Sequence, residues 1–185
     1  MTVIKTALKE WAEAIEALAA GNTILLLRKG GIREADFRVT HHQVLLYPTY
    51  EHQKSALLKS GSIKERQPPS PDQVTVALWG NITDVLPISE AEQLEALMPH
   101  HIWTETFASE RLKWKPKQPL SVLLLRAYTL QPPAKIPYLQ RYSGCRSWIE
   151  VEQGIEIDRA KPVLTQPEYL LRSQHIKAAI QSNQH

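Results

Sequence analysis

Apolar residues at Leu8, Trp11, Ile15 and Leu18 are spaced three, four and three apart, with alanine at many positions between them. Gly21-Asn22 follows where a helix needs a left-handed residue to stop, so the spacing predicts an N-terminal helix with one buried face. Residues 23–27 read as a fully buried strand, a short, continuous apolar run closed by a turn at Arg28-Lys29-Gly30-Gly31. Residues 37–39 and 44–47 read as further short strands, the second closed by Pro48, which has no N–H for a ladder. Residues 51–58 suit a short helix, and Gly61 with the proline-rich residues 67–72 marks the clearest loop. Val74, Val76 and Leu78 alternate, and past Gly80-Asn81 the pattern resumes through Ile82 and Val85, giving a hairpin or one bent strand.

Ser89 with Glu92 three residues on is a capping box for a helix carrying Leu94, Leu97 and Met98, ended by Pro99. A second helix is expected over residues 104–114. Residues 120–130 are too apolar, and too sharply bounded by Pro119 and Pro132, to be a surface helix, and they predict a central strand. Residues 147–151 form another strand, and Thr165 with Glu168 caps a C-terminal helix over about 165–181 that carries Leu170, Leu171, Ile176 and Ile180. Short connections favour antiparallel neighbours. The expected architecture is α+β, a single domain over residues 1–185: a small curved, mainly antiparallel sheet or open barrel flanked by helices, with the C-terminal helix packed on it.

A length of 185 residues suits one domain, and 43% hydrophobic with 22% charged residues excludes wholesale disorder. The single cysteine, Cys145, excludes an intramolecular disulfide and a thiolate zinc cluster, and with no signal-peptide pattern it points to the cytoplasm. No apolar run approaches the roughly 20 residues of a membrane helix, so no membrane span is expected. Net charge is only +3, but residues 51–100 carry four Lys/Arg against seven Asp/Glu while residues 101–150 carry eight against three. The basic stretch interleaves Arg111, Lys113, Lys115, Lys117, Arg126, Lys135, Arg141 and Arg146 with Trp103, Trp114, Tyr128, Tyr138, Tyr142 and Trp148. Cations for phosphates and flat rings for bases are what nucleic-acid binding requires. The alternative for the pentad 113–117 is a solvated loop.

Other chemistries find less support. His41-His42, Glu51-His52 and His100-His101 could in principle ligate zinc, but adjacent histidines on a strand face opposite ways, and no helical ligand spacing is present. No Glu-x-Lys of a metal-dependent nuclease strand occurs, and no glycine-rich phosphate loop. Cys145 has no histidine near it in sequence to serve as a base. No catalytic residue, metal or cofactor is therefore assigned. The segment 142–148 offers more: Gly144 permits a close backbone approach, Arg146 can fork onto an anion, Ser143 and Ser147 carry hydroxyls, and Tyr142 and Trp148 can stack. Its alternative is a turn leading into a strand, with Trp148 in the core. Arg146 and Trp148 lie two apart, so if residues 147–151 form a strand both side chains leave the same face and set a forked cation beside a ring.

Leu26-Leu-Arg-Lys-Gly-Gly-Ile-Arg-Glu34, Leu46-Tyr-Pro-Thr-Tyr-Glu-His-Gln53, His101-Ile-Trp-Thr-Glu105 and Tyr142-Ser-Gly-Cys-Arg-Ser-Trp-Ile-Glu150 resemble a bacterial family, domain of unknown function 1802, over roughly residues 8–151. The resemblance implies no activity, but fusion of some members to a restriction-endonuclease-type domain implies a part in handling DNA and such a protein as a partner. More loosely, residues 18–24, 44–48 and 76–85 are similar to the PUA-like superfamily with its ASCH and EVE domains, curved barrels that bind RNA or accommodate a modified base. The Gly-x-Lys-x-x-Glu-x-Arg signature of the ASCH type is absent.

The leading reading is a non-catalytic module that binds RNA or DNA and, by the looser resemblance, reads a modified base. Its expected binding residues are Arg28, Lys29, Arg33, Tyr50, His52, His101, Trp103, Arg111, Lys113, Lys115, Arg146, Ser147 and Trp148. A metal-dependent enzyme of nucleic-acid or nucleotide metabolism using the His/Glu sets, and a protein-interaction module, are the alternatives.

Overall fold

The computed structural model describes residues 1–29, 37–50, 55–59, 70 and 72–182. The chain opens with a strand, β1 (Val3–Trp11), and not with the helix expected from Leu8 onward. β1 is hydrogen-bonded on both sides, parallel to β3 (Gln43–Thr49) and antiparallel to β6 (Trp148–Glu156). Packed layers on both faces of the sheet bury Ala7, Leu8, Lys9 and Glu10. Trp11 is still extended, and α1 (Ala12–Ala19) follows without a loop, so the helical spacing of Leu8 and Trp11 spans a strand–helix junction. α1 stops as expected: Gly21 takes φ +68°, and Asn22 N–H donates to Ala17 O at 2.8 Å.

β2 (Leu25–Arg28) is the expected short buried strand. Residues 37–39 form no strand. β3 runs through Pro48 rather than stopping at it, because β3 pairs with the next strand only over residues 43–45 and the proline lies beyond the last partner on that side. The expected helix 51–58 is described only as a 3-10 turn at Ser55–Leu57; residues 51–54 and most of the proline-rich loop lie outside the described residues. β4 (Gln73–Ile88) is one bent strand, with register shifts between Val76 and Leu78 and between Ile82 and Asp84. β5 (Leu120–Pro137) outruns its expected end: Pro132 and Pro133 sit at the first shift, between the pairs Leu78–Thr129 and Val76–Ala134, where no ladder bond is lost. β7 (Lys161–Pro162) extends the edge that β2 begins on β5. The order is β2-β5-β4-β3-β1-β6, an open, mainly antiparallel sheet in an α+β fold.

α2 (Ala91–Ala96) carries its capping box one residue later than expected, with Glu90 and Gln93 in place of Ser89 and Glu92. α3 (Glu105–Lys113) is capped by the Thr104 hydroxyl and α4 (Gln166–Gln181) by the Thr165–Glu168 box. Alternation along the strands sorts side chains into two apolar layers. Leu8, Leu26, Val44, Leu46, Leu78 and Ile82 meet the helices, while Ala7, Leu45, Tyr47, Val76, Trp79 and Ile149 fill the opposite face. α4 docks through Tyr169, Ser173, Ile176 and Ile180, with Lys177 paired to Asp84 at 2.5 Å. Leu170 and Leu171, which the same helix carries, are exposed.

Candidate nucleotide-binding cavity

The ends of β1 and β2, helix α3 and the loop 142–147 surround a cavity of about 510 Å³. Lys9 holds that loop in place: its backbone N–H donates to Ser147 O at 2.9 Å, and its ammonium donates to Tyr142 O at 2.7 Å and Gly144 O at 2.8 Å. Gly144, at φ +84°, makes the turn there. Alternation sends the next residue, Glu10, toward the helix side. Its carboxylate accepts from Trp11 N–H at 2.8 Å and from Arg28 Nη1 at 3.1 Å, and both partners of this ion pair are almost withdrawn from water. Arg28 also donates to Lys9 O at 3.2 Å and lies 5.4 Å over the Phe37 ring.

The two other cations are less well matched. Lys29 is 3% exposed and donates to Leu112 O at 2.5 Å. Burial, and then the Arg111 guanidinium, push its ammonium below the ordinary lysine value. Arg111 lies 5.6 Å over the Phe107 ring, and its Nε has no hydrogen-bond partner among the described residues. Burial and the charge of Arg28 lower its pKa, with Glu10 acting the other way. Trp11 and Phe107, with centroids 5.3 Å apart, and Trp114 supply the aromatic wall. Among the described lining residues there are five cations, Lys9, Arg28, Lys29, Arg111 and Arg146, against two carboxylates, Glu10 and Glu110. Cations beside flat rings are the groups that an anion bearing a flat group would require.

Of the residues expected to bind, Arg28, Lys29, Arg111, Arg146 and Ser147 converge here. Trp148 does not: its ring stacks on Phe37 at 5.7 Å and its Nε1 donates to Arg38 O at 3.1 Å. β6 begins at Trp148, so Arg146 precedes the strand and the expected shared strand face is not formed. Arg146 and Trp148 meet instead along a neighbouring groove. Tyr50 lines an adjacent cavity. Trp103, 2% exposed, belongs to the core, as does His101, whose imidazole is pushed down to about 4 by burial and by the nearby Lys59 charge. Lys113 and Lys115 lie outside the cavity, with the Lys115 ammonium 5.0 Å from the Trp114 ring. Arg33 and His52 lie outside the described residues.

Lys9, Glu10, Trp11 and Phe107 were not foreseen as site residues. A charged pair at the end of a buried strand was the signal, hidden by the helical reading of β1. Among the described residues no three of His, Cys, Asp and Glu come together to hold a metal, and no helix is long and apolar enough to cross a membrane.

No curated protein matches the chain. Among solved structures it is similar to the ASCH protein of Zymomonas mobilis, with a TM-score of 0.46 and 10% identity, covering 94% of this chain and 93% of that one. A serine-to-alanine variant of the same Zymomonas mobilis protein matches at the same score and identity, covering 80% and 88%. Residues 7–175 match the family described as Domain of unknown function (DUF1802), and the chain belongs to that family.

Proposed function

We propose that the chain binds single-stranded nucleic acid, RNA or DNA, by taking one nucleotide into the cavity between β1, β2 and α3. The observation that carries this reading is the convergence of Arg28, Lys29 and Arg111 in an aromatic cavity whose innermost carboxylate, Glu10, is already paired. Like charges gathered away from water lower one another's affinity for protons, and a phosphate entering among them relieves that repulsion while giving the Arg111 fork an acceptor. Trp114, 38% exposed, offers a face on which a base stacks without regard to sequence. A volume of about 510 Å³ lies within the range of small-ligand sites, ~300–1,000 Å³.

The test is titration with uridine 5′-monophosphate and a short oligouridylate at several salt concentrations, followed by tryptophan fluorescence and by the rate at which iodoacetamide alkylates Cys145, the exposed thiol in the cavity lining. Binding that weakens with salt, protects Cys145 and is lost in Arg111→Met supports the reading. Absence of saturable binding, or binding indifferent to Arg111→Met, overturns it.

A further inference from the structure

Beyond Lys9 lies a second cavity, of about 590 Å³, and Lys9 and Thr49 line both. The two differ in chemistry. The first gathers forked cations; the second is walled by Tyr47, Tyr50, Tyr138 and Tyr142, has Lys135 at its side, and has no carboxylate among its described lining residues. Tyr50 and Tyr138 leave 42% and 38% of their surface exposed, and exposed ring surface is what a stacking platform needs.

The loop 142–147 serves both cavities. Tyr142 and Ser143 line the second, while Gly144, Cys145, Arg146 and Ser147 line the first. The Lys9 ammonium bonds the carbonyls of Tyr142 and Gly144, one on each side of the division, so the divider is a fixed feature of the sheet.

We propose that the second cavity is the subsite for the adjoining nucleotide of the same strand, so that the ligand is an oligonucleotide of at least two residues and not a free mononucleotide. This rests on the reading of the first cavity given above. Two contiguous cavities sharing a wall of two side chains suit successive units of a polymer whose linkage crosses at Lys9 and Thr49. The unequal chemistry assigns a phosphate-bearing unit to the arginine side and a base to the tyrosine side, where Lys135 adds long-range attraction for the backbone.

The experiment compares uridine 5′-monophosphate, the dinucleotide pUpU and its deoxyribose thymine counterpart on the wild-type chain, Arg111→Met and Tyr138→Ala, with thermal melts confirming that each variant is folded. The dinucleotide should bind roughly 5- to 150-fold tighter than the mononucleotide, the equivalent of stacking one more base. Tyr138→Ala should erase that gain and leave mononucleotide affinity unchanged. The ribose and deoxyribose arms identify which strand the cavity accepts, and tighter dinucleotide binding in either supports the assignment. Mononucleotide binding that requires Arg111 but gains nothing from the second residue overturns the subsite while leaving the first cavity's role intact. Equal loss of mononucleotide and dinucleotide binding in Tyr138→Ala also overturns it. If neither probe binds, both readings fall together.

Discussion

Replacing Arg111 by methionine should make the empty protein more stable and the binding site useless. The guanidinium sits on Phe107 facing Arg28, near the ammonium of Lys29, and its Nε has no hydrogen-bond partner among the described residues. A buried donor left unsatisfied costs about 1–3 kcal/mol. Methionine keeps an unbranched stem and a polarizable contact to the Phe107 ring, so what is forfeited is chiefly the cation–π attraction, about 0.5–1 kcal/mol. The balance is a stabilisation of about 0–2.5 kcal/mol, weighted to its lower half because Arg111 retains some exposure. For a chain of this length each kcal/mol moves Tm by about 2–4 °C, so a rise of up to about 10 °C is expected in a thermal melt, matched by a higher urea midpoint. Uridine 5′-monophosphate affinity should meanwhile fall by roughly 10- to 150-fold, the value of charge-assisted hydrogen bonds of about 1.5–3 kcal/mol. A lowered Tm together with undiminished affinity would refute the reasoning and make Arg111 a structural residue.

Two further outcomes follow from other residues. Burial, and then Lys59, hold the His101 imidazole down at about 4 against an unfolded value of 6.5, so the unfolded chain binds the extra proton first and stability is lost as pH falls from about 6.5 toward 4. By pH 5 this amounts to about 2 kcal/mol, and urea unfolding of His101→Phe should lack that part of the wild-type slope; identical slopes in the two proteins would contradict the assignment. Trp148→Ala should cost about 2–3 kcal/mol through lost packing on Phe37 and the lost bond to Arg38 O, yet leave mononucleotide affinity of the folded protein unchanged, since Trp148 is outside the cavity. Weakened affinity at an unchanged urea midpoint would return Trp148 to the site.

Much of the fold is written locally. Thr165 and Glu168 specify the start of α4 because the two side chains satisfy each other's orphan backbone groups, an arrangement that needs no distant partner. Gly21 stops α1 for a similarly local reason, and residues 122–125 read as an interior strand because nothing polar interrupts them. Failures came where tertiary pairing overrides local preference. Pro48 and Pro132 are strand terminators only when a neighbour waits for their missing N–H, and here none does. Ser89-x-x-Glu92 and Glu90-x-x-Gln93 are both capping patterns, and local chemistry does not choose the phase between them.

The site was concealed by the same mechanism at larger scale. Ala7-Leu8-Lys9-Glu10-Trp11 fits a helix with Lys9 and Glu10 on the wet side, and that reading discards both charges as solvated. Inserted between β3 and β6, the same residues become the end of an interior strand, and both charges are forced inside. Arg28-Lys29 at the end of β2 then meets them, so two charged dipeptides that look unrelated in sequence form one cluster which, among the described residues, holds the Glu10–Arg28 ion pair and more cations than carboxylates. A buried surplus of that kind is unfavourable for the empty fold, and the anionic ligand proposed above would cancel it. The chemistry of the cavity is therefore legible from residues 9, 10, 28 and 29, but only after topology has turned β1 from a helix into a strand.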